Sequence, residues 1–353
     1  MLRFRCGSLD GKRRIGMIGQ PRIFKGTATN ISKVTIQALR QFCTKNFGAV
    51  EVKEEGHFDP QLFEHIRKIL RAITIDSAEN ELAAAGNMMS TESVVSVRNE
   101  DGVEAFAPHL ILVVRDKAHA SRRILSRPWY CDQYLQTVAS SLMTEPSSLT
   151  QLIQHSADLR NMYAAATRES HTGYVSSRFG NLRGAKHRFE SMTTPLSRIV
   201  LDWGAAVAFL VQVGLERGNT DRAGKYATLC LTALDEELML QAALLADAAD
   251  ESLCLIRFFD QREVDNCKVA SEVQRFCDNI AKLFYDEHAW TVEGHTKATL
   301  EFLQSTTTFV IHGETRSVGG PRAVTPELRR RVMKRTCSAL ILGALLICVC
   351  LPP

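Results

Sequence analysis

The spacing of apolar residues changes character once along this chain, near residue 117, and that change bounds the folds open to it. Before it, short β-prone runs alternate with helical stripes. Leu2, Phe4 and Cys6 alternate with Arg3 and Arg5, the two-residue period of a half-buried strand. Asp10-Gly11 is a hairpin turn signal, and Ile15, Met17 and Ile18 open a second run. Ile31, Val34, Ala38, Leu39 and Phe42 share one helical face; Leu62, Phe63, Ile66, Ile69 and Leu70 share another, started by Asp59-Pro60. Two runs bounded by polar residues, Ala72–Ile75 and Leu110–Val114, read as central strands, with a helix over 79–90 between them. After residue 117 the β signal nearly vanishes, and 131–166, 184–217, 221–248 and 265–286 suit Ala/Leu-rich helices. Among them Val269, Val273, Phe276, Cys277, Ile280, Leu283 and Phe284 form a helical apolar stripe, read as core rather than as cofactor contacts.

The expected fold class is therefore α+β: an α/β sheet core at the front, then a mainly helical domain. The expected divisions are a partial core over 1–130, a helical domain over 131–315, a basic linker over 316–336 and a short apolar tail over 337–353. The linker carries the Gly/Pro-rich stretch RSVGGPRAVTPE at 316–327. Length supports this, since 353 residues exceed a single average domain. With 45 % hydrophobic and 23 % charged residues, disordered, collagen-like and multi-spanning membrane chains are excluded. The ten cysteines include no CxxC pair, which argues against zinc ribbons and fingers and leaves reduced thiols of a nuclear or cytoplasmic protein as the simplest reading.

Charge is unevenly placed. Residues 1–30 hold seven basic residues against Asp10 alone, whereas 235–265 holds nine acids against Arg257 and Arg262. A basic front suits a polyanion partner, and solvated faces of separate elements account for the same pattern. No P-loop, GxGxxG, GxSxG or HExxH occurs. What remains is a set of acids near strand ends: Asp10 at the first hairpin, Asp76 just after Ile75, and Asp116 within Arg115-Asp116-Lys117-Ala118-His119. Carboxylates gathered at strand ends can hold two Mg²⁺ ions for phosphodiester chemistry. Each also has a structural use, Asp10 in a turn and Asp76 and Asp116 as helix N-caps.

The run IRKILRAITIDSAENELAAAGNM, followed by HLILVVRDKAHASRRILSRPW and later by Lys186-His187-Arg188-Phe189-Glu190-Ser191-Met192-Thr193-Thr194, resembles the core of hAT-type transposases in the order of its pieces. Phe189 stands where that family's box carries Trp, and Asp10-Gly11 matches its Asp-Gly-Trp with Lys12 in place of the Trp. The resemblance covers about residues 1–200. It implies a ribonuclease-H-like core interrupted by a helical insertion near 195–310, with Asp10 and Asp76 as the first two metal-binding carboxylates, Mg²⁺ as the cofactor of any surviving activity, and His119 as an auxiliary. It also implies a nucleic-acid surface of Arg115, Lys117, Arg122, Arg123, Lys186 and Arg188 that binds DNA weakly and without sequence preference. No third carboxylate matches; Asp247, Asp250 and Glu251 read instead as the polar face of an amphipathic helix. The implied protein is a decayed or domesticated transposase core, a nuclease or polynucleotidyl transferase only if activity survives. The alternative is a helical interaction or scaffold protein with a protein partner for its helical domain.

At the C-terminus, Arg329-Arg330-Arg331, Lys334 and Arg335 precede fifteen uncharged residues, Cys337 to Leu351. That run is shorter than the ~20 residues of a comfortable span. Its expected uses are a tail anchor placing the protein on a membrane through 337–351, acylated at Cys348 or Cys350, or a buried C-terminal helix.

Overall fold

The computed structural model describes residues 2–7, 13–19, 26–44, 58–75, 79–100, 102–115, 126–130, 132–170, 189–261, 266–311 and 313–350. They belong to two compact units, Met1–Ala120 and Ser121–Pro353, dividing inside the expected first domain of 1–130. The chain is mostly helical with a few small strands, compatible with the α+β class.

In the first unit, β1 (Leu2–Gly7) pairs antiparallel with β2 (Arg13–Gly19), as the alternation predicts. Helix α1 (Ala28–Thr44) follows, then α2 (Pro60–Ile69). The start of α2 follows from sequence: Asp59 accepts from the amides of Gln61 at 3.0 Å and Leu62 at 2.9 Å, and Pro60 sits at the first position, where no amide is needed. Strand β3 (Ala72–Ile75) leads to α3 (Glu79–Met89), and β6 (Leu112–Arg115) lies parallel to β3 with Ile75 opposite Arg115. Between them stands an unexpected hairpin, β4 (Val97–Asn99) with β5 (Gly102–Glu104). Three-residue strands carry too little alternation to register as a sequence pattern. Leu39, Met88, Val95, Phe106, Ala107 and Leu110 form the core, with Phe63 against Phe106 at 6.0 Å between ring centroids.

Arg67 fastens α2 to that hairpin. It is 1 % exposed, donates to the carbonyls of Ala105 and Phe106 at 2.8 and 3.1 Å, and is paired with Glu64 and Glu104, each at 2.5 Å. A guanidinium is tolerated in a core only when its donors are satisfied in this way. Its hydrogen bond holds the Glu64 carboxyl below the usual range.

The second unit is built of helices: α4 (Gln133–Ala139), α5 (Leu149–His155), α6 (Ala157–Ser170), α7 (Phe189–Leu201), α8 (Trp203–Arg217), α9 (Arg222–Ala233), α10 (Glu236–Phe259), α11 (Val269–Ile280), α12 (His295–Gln304) and α13 (Pro326–Cys350). Aspartates start four of them: Asp132, Asp202, Asp221 and Asp235 each accept a backbone amide of the first turn. Helix α10 is the hub. It packs against α7, α11, α12 and α13; residues around its whole circumference are buried from Leu238 to Ala246, and beyond them one side, with Asp250, Cys254 and Arg257, is exposed. The turn that leaves α8 at Gly218 folds tightly onto α9 at Gly224, where an added Cβ would stand 2.0 Å from the Gly218 carbonyl oxygen.

One expectation gives way here. Strands do not end near residue 117: β7 (Thr307–Ile311) and β8 (Glu314–Val318) form a hairpin turned by Gly313 at φ +82°. Thr307-Thr308-Phe309-Val310-Ile311 carries the β-branched signal, and a single pair is easily overlooked in an Ala/Leu-rich stretch. The stretch expected as a linker, 316–336, holds the end of β8 and the first turns of α13, which runs on to Cys350 as one helix.

Candidate functional site

The residues singled out by the resemblance fall almost entirely outside the described residues: Asp10, Asp76, Lys117, His119, Arg122, Arg123, Lys186 and Arg188 all do. Of Arg115 only the backbone is described, closing β6 opposite Ile75. Because β3 and β6 are parallel and in register, both strands finish at the same end of the sheet. Asp76 and Asp116 are the residues that follow in sequence.

The three acids of α10 lie on its more exposed side, Asp250 with 57 % of its side chain accessible, and each is also partnered. Asp247 caps α12 from a neighbouring helix: Oδ1 accepts from the His295 amide at 2.8 Å, and Oδ2 from the Thr296 amide at 3.0 Å and the Thr296 hydroxyl at 2.5 Å. Asp250 lies 3.0 Å from His295 Nε2 and accepts a long bond from Ser197. Glu251 accepts from Asn279 at 2.9 Å. Their stripe borders α7, α11 and α12, so these acids reach residues of neighbouring helices while staying partly solvated. Both Asp247 oxygens serve the N-terminus of α12 and do not fit as a third Mg²⁺ ligand. Among the described residues no group of three or more His, Cys, Asp or Glu could hold a metal ion.

His295 is 7 % exposed. With a carboxylate at Nε2, that nitrogen carries the proton, and Nδ1 is buried without a hydrogen-bond partner among the described residues. The ring is oriented inward, as a packing and capping residue rather than a base facing substrate. Burial pushes the Cys230 thiol up to about 12, and burial also raises Cys337. Both are poor thiolate nucleophiles.

The arrangement that faces outward lies on α13. Its inner side is locked to α10: Gln241 donates to Thr336 at 2.6 Å, and both side chains are fully buried. Arg335 bonds Glu237 at 3.0 Å and lies 4.1 Å over the Tyr134 ring, while Arg331 pairs with the same Glu237 at 2.5 Å. Burial works to raise Glu237, but the hydrogen bonds from Arg331 and Arg335 outweigh it and hold the carboxyl below its ordinary value. Leu328, Val332, Met333, Thr336, Ala339 and Leu340 make the buried side.

At 100° per residue, Arg330, Lys334, Ser338 and Ile341 fall within roughly a quarter of the opposite side. All four are exposed, Ile341 by 55 %, and Leu342 beside it by 40 %. Arg330 and Lys334 have no carboxylate partner among the described residues, unlike Arg331 and Arg335. The outer face thus carries Glu327 in its first turn, the cations Arg330 and Lys334 next, and apolar residues afterwards. Sequence alone shows a basic run followed by an apolar run; which basic residues are consumed inside the unit is decided by Glu237.

No single described helix is long and apolar enough to cross a membrane. The pair Thr193–Leu201 and Trp203–Arg217, bent by 90°, meets the length and composition of a span as a pair. Its Leu196, Ile199, Trp203, Phe209 and Leu210 are at most 2 % exposed, packed inside the unit.

Fold and site together define a mostly helical α+β protein whose outward-facing chemistry is a half-cationic, half-apolar helix face. The chain matches no family model, no curated protein and no solved structure.

Proposed function

We propose that the chain is a helical interaction protein, in which the bundle around α10 is the scaffold and α13 the contact helix. The observation that carries this is the division of labour on α13: Arg331, Arg335 and Thr336 are spent holding it to α10, while Arg330, Lys334, Ile341 and Leu342 are left outward. Exposed large aliphatic side chains beside unpaired cations on a firmly seated helix are the composition of a recognition surface. Sizing of cell extracts tests it. The wild-type chain should run in an assembly or sediment with membranes, and Ile341→Ser/Leu342→Ser should run as a soluble monomer. Wild-type protein that is itself a soluble monomer would end this reading.

A second reading, the hAT-like core, is supported by the in-register parallel pair β3 and β6, whose common C-terminal end precedes Asp76 and Asp116 in sequence. In it the first unit derives from a ribonuclease-H-like core, sits in the nucleus or cytoplasm, and binds DNA weakly through phosphate contacts. Mg²⁺ would be held by Asp10 and Asp76 and would polarise a phosphodiester oxygen.

A further inference from the structure

We infer that the outer face of α13 docks on an anionic lipid surface at a slant, its later turns dipping below the headgroups without spanning the bilayer. The inference rests on α13 being the contact helix. The order of chemistry along the face fits an interface: Arg330 and Lys334, one turn apart, are placed for lipid phosphates, and Ile341 and Leu342, two turns further on, for the acyl boundary. From Thr336 to Cys350 the helix carries no charged residue, so nothing on its later turns resists leaving water. Tyr285 adds an aromatic of the interfacial kind nearby. It is 81 % exposed and follows Phe284, whose carbonyl accepts from Cys337 Sγ one turn before Ile341.

Spanning is disfavoured by the other side of the same helix. Gln241–Thr336 and Arg335–Glu237 bind its first half into the bundle, and extraction would strand those buried polar groups. A partner protein would have to be acidic and apolar in the same order. An anionic bilayer presents that order at every point of its surface, because headgroup phosphates lie directly above acyl chains.

Co-sedimentation of the full chain with phosphatidylcholine vesicles, with and without phosphatidylserine, tests the proposal. Binding should require phosphatidylserine and fall as salt rises. Arg330→Glu/Lys334→Glu and Ile341→Ser/Leu342→Ser should each weaken it about tenfold or more. Lys225→Glu/Lys268→Glu, with the same change of net charge elsewhere, should leave it near wild type, and circular dichroism melts should match for all. Equal binding to both vesicle types, or wild-type binding by either α13 variant, would overturn it. So would a solution dimer dissolved by Ile341→Ser/Leu342→Ser, which would assign the face to a second copy, or duplex DNA bound through Arg330 and Lys334 in place of vesicles. If extracts hold the chain in an α13-dependent assembly and the purified protein ignores vesicles, the lipid inference falls while the interaction reading stands.

Discussion

Gln241 and Thr336 lie 95 positions apart in sequence and meet at 2.6 Å in the interior of the second unit, each fully buried. Thr336 donates its own hydroxyl to the Val332 carbonyl at 3.0 Å, and Gln241 Oε1 accepts from Arg335 at 3.3 Å. One polar contact therefore registers α13 on α10 and, with it, decides which residues of α13 face outward.

Thr336→Val leaves a Gln241 amide proton buried without an acceptor, and should cost about 1–3 kcal/mol in urea unfolding. Adding Gln241→Leu should recover part of that loss, because the orphaned donor goes with it. A double variant as destabilised as the sum of the singles would show that the pair acts independently.

Asp247→Ala removes one carboxylate that receives two amides and a hydroxyl of the next helix but one. The expected loss is about 1–3 kcal/mol, combining a lost N-cap with buried donors left unmade. Amide exchange should speed up at His295 and Thr296 first. Unchanged protection there would mean the cap is not made in solution.

Acid should loosen the clamp on the β4–β5 hairpin. The Arg67 hydrogen bond depresses the Glu64 pKa in the folded chain, so its stabilisation is complete above the ordinary carboxylate value of about 4.3 and is lost as pH falls through the depressed one. Hairpin amides, followed by exchange or NMR from pH 6 downward, should weaken in the wild type and show a flatter profile in Glu64→Gln. The same profile in both would remove Glu64 as the titrating group.

Purified protein should show no Mg²⁺-dependent cleavage or strand transfer. The resemblance supplies two carboxylates, Asp10 and Asp76, and two-metal chemistry needs enough oxygens to hold ions ~3.5–4 Å apart. Asp247, the acid considered as a third, is committed to α12. Labelled DNA cut by the wild type and spared by Asp76→Ala would overturn this and call for another ligand. Any DNA binding by the basic front should be independent of sequence and fade with salt, as phosphate contacts do.

Local signals were legible where one residue and its neighbours settle the outcome. Asp59-Pro60 starts α2 because the cap and the missing amide act within four residues. The alternation at Leu2–Cys6 forms a strand, and Ala72–Ile75 and Leu110–Val114 lead to the paired β3 and β6. The β4–β5 and β7–β8 hairpins were not legible, since their pairing brings only short runs together and leaves little period to read. The proposed catalytic acids, Asp10 and Asp76, are sequence readings that the described residues do not reach.

The sequence by itself determined the change from mixed strand and helix to mainly helix, the helix starts at its aspartates, and the basic-then-apolar order of the last helix. Those are properties of neighbours along the chain, fixed by backbone geometry and short-range hydrogen bonds. Only the tertiary structure decided that Asp247 caps a remote helix, that Arg67 is enclosed by Glu64, Glu104 and two carbonyls, and that Glu237 consumes Arg331 and Arg335 while leaving Arg330 and Lys334 outward. Identical residue types are told apart there by what stands across from them, and that partner can be some ninety-four positions away, as Glu237 is from Arg331.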